Sequence, residues 1–237
     1  MATDAPLDDW SPLDPTQRQA QVLGLRQWLA GRTHAENGSV RVLDLGCGDG
    51  SVIESLLERR RAFTGLDRDP RARKAARKRL RDRRRVEIID ADFTDPEHAN
   101  RWTGPFDLAL CLGHTMMLVL DEGVAQELFR RLAERLAPGG ALVIDNFPDE
   151  LSALIDSGDW QTGLNEDGSC QMILDAAKRL IALRFDDEVD EECEAFKAED
   201  RLHRLWTMAE LRALAASTGF KSPRLDASHH LIWFDRS

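Results

Sequence analysis

Five short apolar runs punctuate the first 145 residues: 39–45 (SVRVLDL), 62–66 (AFTGL), 86–90 (VEIID), 106–112 (FDLALCL) and 141–145 (ALVID). They are continuous rather than alternating, which predicts strands covered on both faces of a sheet. Between them, apolar positions follow helical spacing. Residues 16–30 carry Ala20, Val22, Leu23, Leu25, Trp28 and Leu29 and stop at Gly31. A helix through Ile53 and Leu57 follows the first run. Residues 70–85 predict a basic helix with a stripe of Ala72, Ala75, Ala76 and Leu80. Residues 122–136 predict another, closed by Pro138-Gly139-Gly140. Strand and helix in alternation define right-handed βαβ units, and so an α/β fold on a parallel sheet.

The chain closes in the same style. Thr207 caps a helix over 207–218, with Glu210 as the partner in a capping box, and Gly219 ends it. Residues 220–225 and 230–234 then predict a hairpin. Residues 147–206 fit neither pattern. Pieces at 169–175, 179–185 and 192–206 predict an antiparallel β insertion above the sheet. The expected division is therefore an arm and helix over 1–38, a core over 39–146, a cap over 147–206 and a closing helix and hairpin over 207–237.

Composition narrows the class. The 237 residues are 42% hydrophobic and 31% charged, as in a globular protein. No apolar run approaches the roughly 18 residues of a membrane span, and the acidic, Pro-containing N-terminus lacks a signal-peptide pattern. Cys47, Cys111, Cys170 and Cys193 are scattered, without a CxxC pair, which fits a reducing compartment and predicts a cytoplasmic protein. The net charge of −10 is uneven: residues 59–85 hold 14 Lys and Arg against three acids, and residues 186–200 hold nine acids and one lysine. No attraction of the molecule as a whole to nucleic acid is therefore expected; the basic helix is a local patch, and base-stacking aromatics are missing from it. The acidic run predicts either a solvated hairpin or loop, or a surface for a partner's basic helix; the expected assembly is a monomer or homodimer.

The chemistry concentrates where the first strand runs into Asp44-Leu45-Gly46-Cys47-Gly48-Asp49-Gly50. Alternating glycines permit positive φ and close approach of backbone to a ligand. The spacing is G-x-G-x-G, with Ser51 where a dinucleotide fingerprint has its final glycine. Carboxylates at 44 and 49 repel a pyrophosphate and suit a ligand with a cationic amine and a sulfonium, such as S-adenosylmethionine. Asp67, at the tip of the next strand, can accept from both hydroxyls of a ribose. Asp92 can accept from an adenine amine, with Phe93 against the ring.

In order and spacing, VLDLGCGDG, TGLD, DADF, FDLALCLG and LAPGGALVID resemble the class I S-adenosylmethionine-dependent methyltransferases over roughly residues 40–146 and again over 207–235. The resemblance implies a seven-stranded, mostly parallel sheet of order 3-2-1-4-5-7-6 with its last strand antiparallel, and a substrate cap inserted after the fifth strand. It implies that Asp44, Gly46 and Gly48 line the methionine moiety, Asp67 the ribose, Asp92 and Phe93 the adenine, and that Leu112 lies beneath the sulfonium. Cys47 and Arg68 complete the expected cofactor-binding set. The [DNS]-PP-[YF] motif of amino-methylating nucleic-acid enzymes is replaced by Leu112-Gly113-His114-Thr115. Asp145-Asn146 resembles part of the metal site of catechol-type O-methyltransferases, but its partner acid is missing, so no metal is expected.

Methyl transfer needs a base only where the acceptor must lose a proton. His114, just past the fourth strand, is the candidate. Thr115, Asn146, Trp160, Arg201 and His203 are the candidate substrate contacts; in a strand, Arg201 and His203 share one face and could converge on an anion. The resulting expectation is methyl transfer to a small polar metabolite at nitrogen or oxygen. The rival readings are an RNA methyltransferase using the basic helix, and a silent domain that senses S-adenosylmethionine.

Overall fold

The computed structural model describes residues 15–32, 39–145 and 149–237, with 149–152 as backbone only. Helix α1 (Pro15–Ala30) precedes β1 (Val40–Leu45), α2 (Ser51–Leu56), β2 (Arg61–Asp67), α3 (Pro70–Arg79) and β3 (Val86–Asp90). Next come β4 (Phe106–Cys111), α4 (Glu122–Arg135) and β5 (Leu136–Ile144). The insertion holds α5 (Asp149–Ser157), β6 (Gly163–Leu164), β7 (Cys170–Asp175), β8 (Leu180–Phe185) and β9 (His203–Arg204). Helix α6 (Met208–Thr218), β10 (Arg224–Asp226) and β11 (Leu231–Asp235) complete the chain. Among the described residues, no helix is long and apolar enough to cross a membrane.

Seven strands form one sheet in the order β3-β2-β1-β4-β5-β11-β10. Pairing is parallel from β3 through β5. Strand β11 runs antiparallel to both β5 and β10. This is the order the motifs imply. The sheet is buried on both sides, as continuous apolar strands require. One layer gathers Leu25, Leu29, Ile53, Leu56 and Leu80 from α1, α2 and the end of α3. The other gathers Leu128, Phe129, Leu132, Leu211 and Leu214 from α4 and α6, with Phe129 edge-on to Phe220 and Phe234.

Local signals set several boundaries. Asp69 caps α3 through the N–H of Arg71, and Pro70 follows at the first helical position. Thr207 and Glu210 form the expected capping box of α6, and Gly219 ends it with φ of 89°. The basic helix is shorter than its charge run: α3 stops at Arg79, and residues 81–85 are turns and coil. Beyond Leu80 no apolar residue continues the stripe, so nothing holds another turn on the sheet. Its arginines are engaged on the domain itself: Arg73 with Asp90, Arg79 with Asp49 and Glu54, and Arg77 on the carbonyl of Ile88.

The insertion forms a second sheet, β6-β7-β8-β9, all antiparallel. Two expectations fail here. Helix α5 was not anticipated, and residues 192–206 are not a strand apart from the two-residue β9. Buried side chains replace the ladder in this segment. Arg184 donates bidentately to Asp200 and to the carbonyls of Cys193 and Ala195, while Gln171 bonds Asp190 and Cys193. Met117, Ile155, Ile181 and Leu205, with Trp160 and Leu174, seat the cap on the turn after β4. Of the irregular arm expected over 1–15, residues 1–14 lie outside the described residues, and Pro15 begins α1.

Candidate active site

A cavity of about 550 Å³ opens at the carboxyl ends of the parallel strands, where ligands of open α/β sheets bind. Its size suits a nucleoside-sized molecule with a small partner. The turn after β1 forms one wall. Gly46 and Gly48 hold φ of 66° and 54°, in the left-handed region. A Cβ on Gly46 would stand 2.8 Å from Cγ2 of Thr115, so the close approach also needs glycine. Cys47 lines the same wall, with its thiol packed beneath Gly65. Burial and the nearby carboxylates push that thiol well up, away from a thiolate.

Asp44 is the electrostatic centre of this wall. It is 3% exposed, and its Oδ2 has no hydrogen-bond partner among the described residues. Burial raises its pKa to about 7; the charge of Arg18 opposes the rise and that of Asp67 adds to it. A buried carboxylate without a partner is costly unless a ligand supplies one. Arg18, from α1, lines the cavity too, and its Nη2 lies 3.4 Å from where a Cβ on Gly113 would stand. Together they present a cation site and an anion site side by side, which matches the ammonium and carboxylate of an amino acid. Asp49, also expected to face the cation, is committed elsewhere: it accepts from Ser51 N and pairs with Arg79, and its pKa falls.

Asp67 ends β2 and is fixed by backbone donors: Oδ2 accepts from Gly48 N at 2.9 Å and Oδ1 from Asp69 N at 2.8 Å. Both oxygens keep further lone pairs for a ligand. Asp92, after β3, accepts from Thr94 N and Oγ1 on Oδ1 and from Arg68 on Oδ2. Burial would raise its carboxyl pKa, and these donors hold it low. Phe93 and Arg68 stand on the wall beside it. Leu112, Gly113, Thr115 and Leu118 close the β4 side, with Thr115 Oγ1 donating to the Leu112 carbonyl at 2.7 Å.

The structure thus brings Asp44, Gly46, Cys47, Gly48, Asp67, Arg68, Asp92, Phe93, Leu112, Thr115 and Arg201 to one cavity. Several other expectations are corrected. His114, expected to face an acceptor, stands off the wall and is 5% exposed. Its φ is 58°, and Asp145 accepts from the N–H groups of both Gly113 and His114, so the chain reverses there. Burial lowers its pKa, against the pull of Asp145. His203 is fully buried in β9, opposite Ile181, and is not on the wall. Arg201 precedes that strand, so the two do not share a strand face. Trp160, expected to contact substrate, packs instead against Met117 and Ile155 and is not on the cavity wall. Asn146 lies outside the described residues. Asp145 serves the loop after β4: besides those two N–H groups it accepts from Gln21.

Sequence reasoning missed Arg18 and Leu118 on the wall, and Gln21, which braces Asp145 from behind it. A signal existed. Arg18 and Gln21 lie in line with Leu25 and Leu29 on the buried side of α1, where polar residues need a reason.

The comparisons with known proteins agree with this geometry. Residues 42–140 match the family model described as a methyltransferase domain. The matched segment runs from β1 into β5, and the chain shares its fold with solved S-adenosylmethionine-dependent methyltransferases. The chain is 36% identical to a trans-aconitate 2-methyltransferase of Sinorhizobium medicae over 128 residues, 53% of this chain and 44% of that protein. It is 31% identical to the glycine N-methyltransferase of Rattus norvegicus over 133 residues, 51% of this chain and 44% of that one. The alignments span less than half the length of these relatives. Among solved structures it is similar to CalS10, an amino pentose methyltransferase from Micromonospora echinaspora with S-adenosylmethionine bound (TM-score 0.61, 17% identity, 93% of this chain and 92% of that one). It is also similar to DesVI of Streptomyces venezuelae (TM-score 0.65, 16% identity, 94% and 93% covered). These likenesses describe the fold.

Proposed function

We propose that this protein transfers a methyl group from S-adenosylmethionine to a small polar metabolite at nitrogen or oxygen. The observation that carries the reading is Asp44, a buried carboxylate with an unpartnered oxygen, set beside Arg18 and Asp67 on one cavity. When bound, S-adenosylmethionine supplies an electrophilic methyl on a positively charged sulfur. Asp44 takes the ammonium, Arg18 the carboxylate and Asp67 the ribose hydroxyls. Asp92 and Phe93 hold the adenine, in a loop braced by Thr94 and Arg68. Leu112, Gly113 and Leu118 shield the reacting end from water.

Aligning donor and acceptor can supply ~7–11 kcal/mol of such a displacement. Among the described residues, the cavity wall holds no histidine or lysine, and the chain has no tyrosine. A proton lost by the acceptor then goes to a wall carboxylate or to solvent, and Asp145, accepting from Gly113 N and His114 N, positions the loop after β4. Trans-aconitate, glycine and an amino pentose, which three of the relatives are named for, are all small and polar.

Calorimetry tests the cofactor half. S-adenosylhomocysteine should bind, and Asp67→Ala should weaken it roughly 10- to 150-fold, the worth of about 1.5–3 kcal/mol of hydrogen bonding to a charged group. Labelled S-adenosylmethionine with a metabolite extract, with and without RNA, tests the acceptor half. Methyl transfer that appears only with RNA overturns the reading.

A further inference from the structure

We infer that Gln21 is a positioning residue: it aims the Arg18 guanidinium at the carboxylate of the cofactor and ties that group, through Asp145, to the loop after β4. The inference rests on the S-adenosylmethionine reading above.

Gln21 stands on the inner side of α1, in line with Leu25 and Leu29, and is fully buried. An apolar side chain would serve packing alone there. This amide instead uses each of its polar atoms, as a buried polar group must. Its Oε1 accepts from Arg18 Nη1 at 3.0 Å. Its Nε2 donates to Asp145 Oδ2 at 3.1 Å and to the His230 carbonyl at 3.4 Å. A guanidinium only donates and a carboxylate only accepts, so the amide fits in one orientation. Turned over, it would set donor against donor and acceptor against acceptor.

Asp145 carries the connection onward. It is 1% exposed, and it accepts from Gly113 N at 2.7 Å and from His114 N at 2.8 Å. An unbroken line of hydrogen bonds therefore runs from Arg18, on the cavity wall, to the turn that places Leu112, Gly113 and Thr115 on the same wall. Arg18 itself reaches toward that turn, since Nη2 lies 3.4 Å from where a Cβ on Gly113 would stand. Its charge acts on both Asp44 and His114. A long side chain that binds an anion gives up rotamer freedom. With Nη1 already held by Gln21, part of that freedom is removed in advance, and the rest of the fork stays available to a carboxylate.

The test uses two ligands that share an adenosine and a neutral thioether. S-adenosylhomocysteine carries the amino-acid end, and methylthioadenosine lacks it. Both are titrated by calorimetry into the wild type, Gln21→Met, Arg18→Met and the double variant. Arg18→Met should weaken S-adenosylhomocysteine roughly 10- to 150-fold and Gln21→Met roughly 10-fold. Methylthioadenosine affinity should stay within about twofold throughout, and the double variant should match Arg18→Met within about threefold, because the glutamine acts through the arginine. Hydrogen exchange gives a readout that does not need the Gln21 variant. At saturation, S-adenosylhomocysteine should slow exchange over residues 112–118 of the wild type more than methylthioadenosine does, and Arg18→Met should remove the difference.

Three results overturn the inference: a Gln21→Met protein that weakens both ligands equally or neither, a double variant whose losses add, or equal exchange protection by the two ligands in the wild type. A wild type that fails to bind S-adenosylhomocysteine overturns the underlying cofactor reading instead.

Discussion

At the scale of single residues, Asp44 shows function set against stability. Its carboxyl is buried without a full set of partners, and burial lifts its pKa to about 7. The sign follows directly. The raised value means the folded protein prefers the protonated acid, so stability falls as pH rises from the ordinary carboxylate range through 7. The ammonium of the cofactor needs the ionised form, so affinity rises over the same upper range. Affinity for S-adenosylhomocysteine should therefore increase between pH 6 and 8 in the wild type, by calorimetry in matched buffers. Asp44→Asn should lose both the affinity and its pH dependence. The same variant should melt higher than the wild type at pH 8 without ligand, by roughly 2–4 °C for each kcal/mol of relieved strain. A lower melting temperature would show that Asp44 supports the fold and is not held ready for a ligand.

At the scale of elements, the Asp92–Phe93 side of the cavity is held from behind. Arg131, on α4, is buried, and its guanidinium donates to the carbonyls of Phe93, Thr94 and Asp95. Three consecutive carbonyls on one fork fix the loop that carries Asp92 and Phe93. Arg131→Met fills the volume and removes the fork, leaving buried acceptors unpaired at about 1–3 kcal/mol each. S-adenosylhomocysteine affinity should fall at least 10-fold, and preference for it over the hypoxanthine analogue should shrink, because Asp92 is no longer aimed. An unchanged preference with a lowered melting temperature would confine Arg131 to stability.

The sequence showed the loop but not this brace, since residues 93 and 131 meet only through packing of α4 on the sheet. The same division runs through the fold. Strand and helix alternation, the Gly46–Gly48 turn and the Thr207 capping box are local, and all were legible. The positions of His114 and His203 depend on how the chain turns at Gly113 and where β9 begins. Those turns depend on Asp145 and Ile181, distant in sequence, and no spacing rule reaches them.

Over the whole molecule, the charge is divided between a basic stretch over 59–85 and an acidic one over 186–200. The acidic stretch is a solvated loop, as its composition predicts, with seven of its nine acids exposed, and it is also tied to the cap sheet. One buried link is Arg184, 2% exposed and bonded to Asp200 at 2.8 Å through both oxygens; Gln171 bonds Asp190 and Cys193, and Lys197 pairs with Asp190. Arg184 donates further to the carbonyls of Cys193 and Ala195, so one side chain gathers a segment that otherwise repels itself. The bonds from Arg184 hold the Asp200 carboxyl below its ordinary range. A depressed carboxylate contributes stability that is present above the unfolded pKa of about 3.9 and lost as pH falls through the folded value. The cap loop should then release in acid before the seven-stranded core unfolds.

Arg184→Met should produce that release at neutral pH. Limited proteolysis should cut between residues 186 and 200 in the variant and spare the wild type. The melting temperature should drop by a few degrees, consistent with charged hydrogen bonds of about 1.5–3 kcal/mol. S-adenosylhomocysteine affinity should stay within about threefold, because none of its expected contacts belongs to this segment. A variant that resists the protease as well as the wild type would show that the cap sheet alone orders the acidic loop.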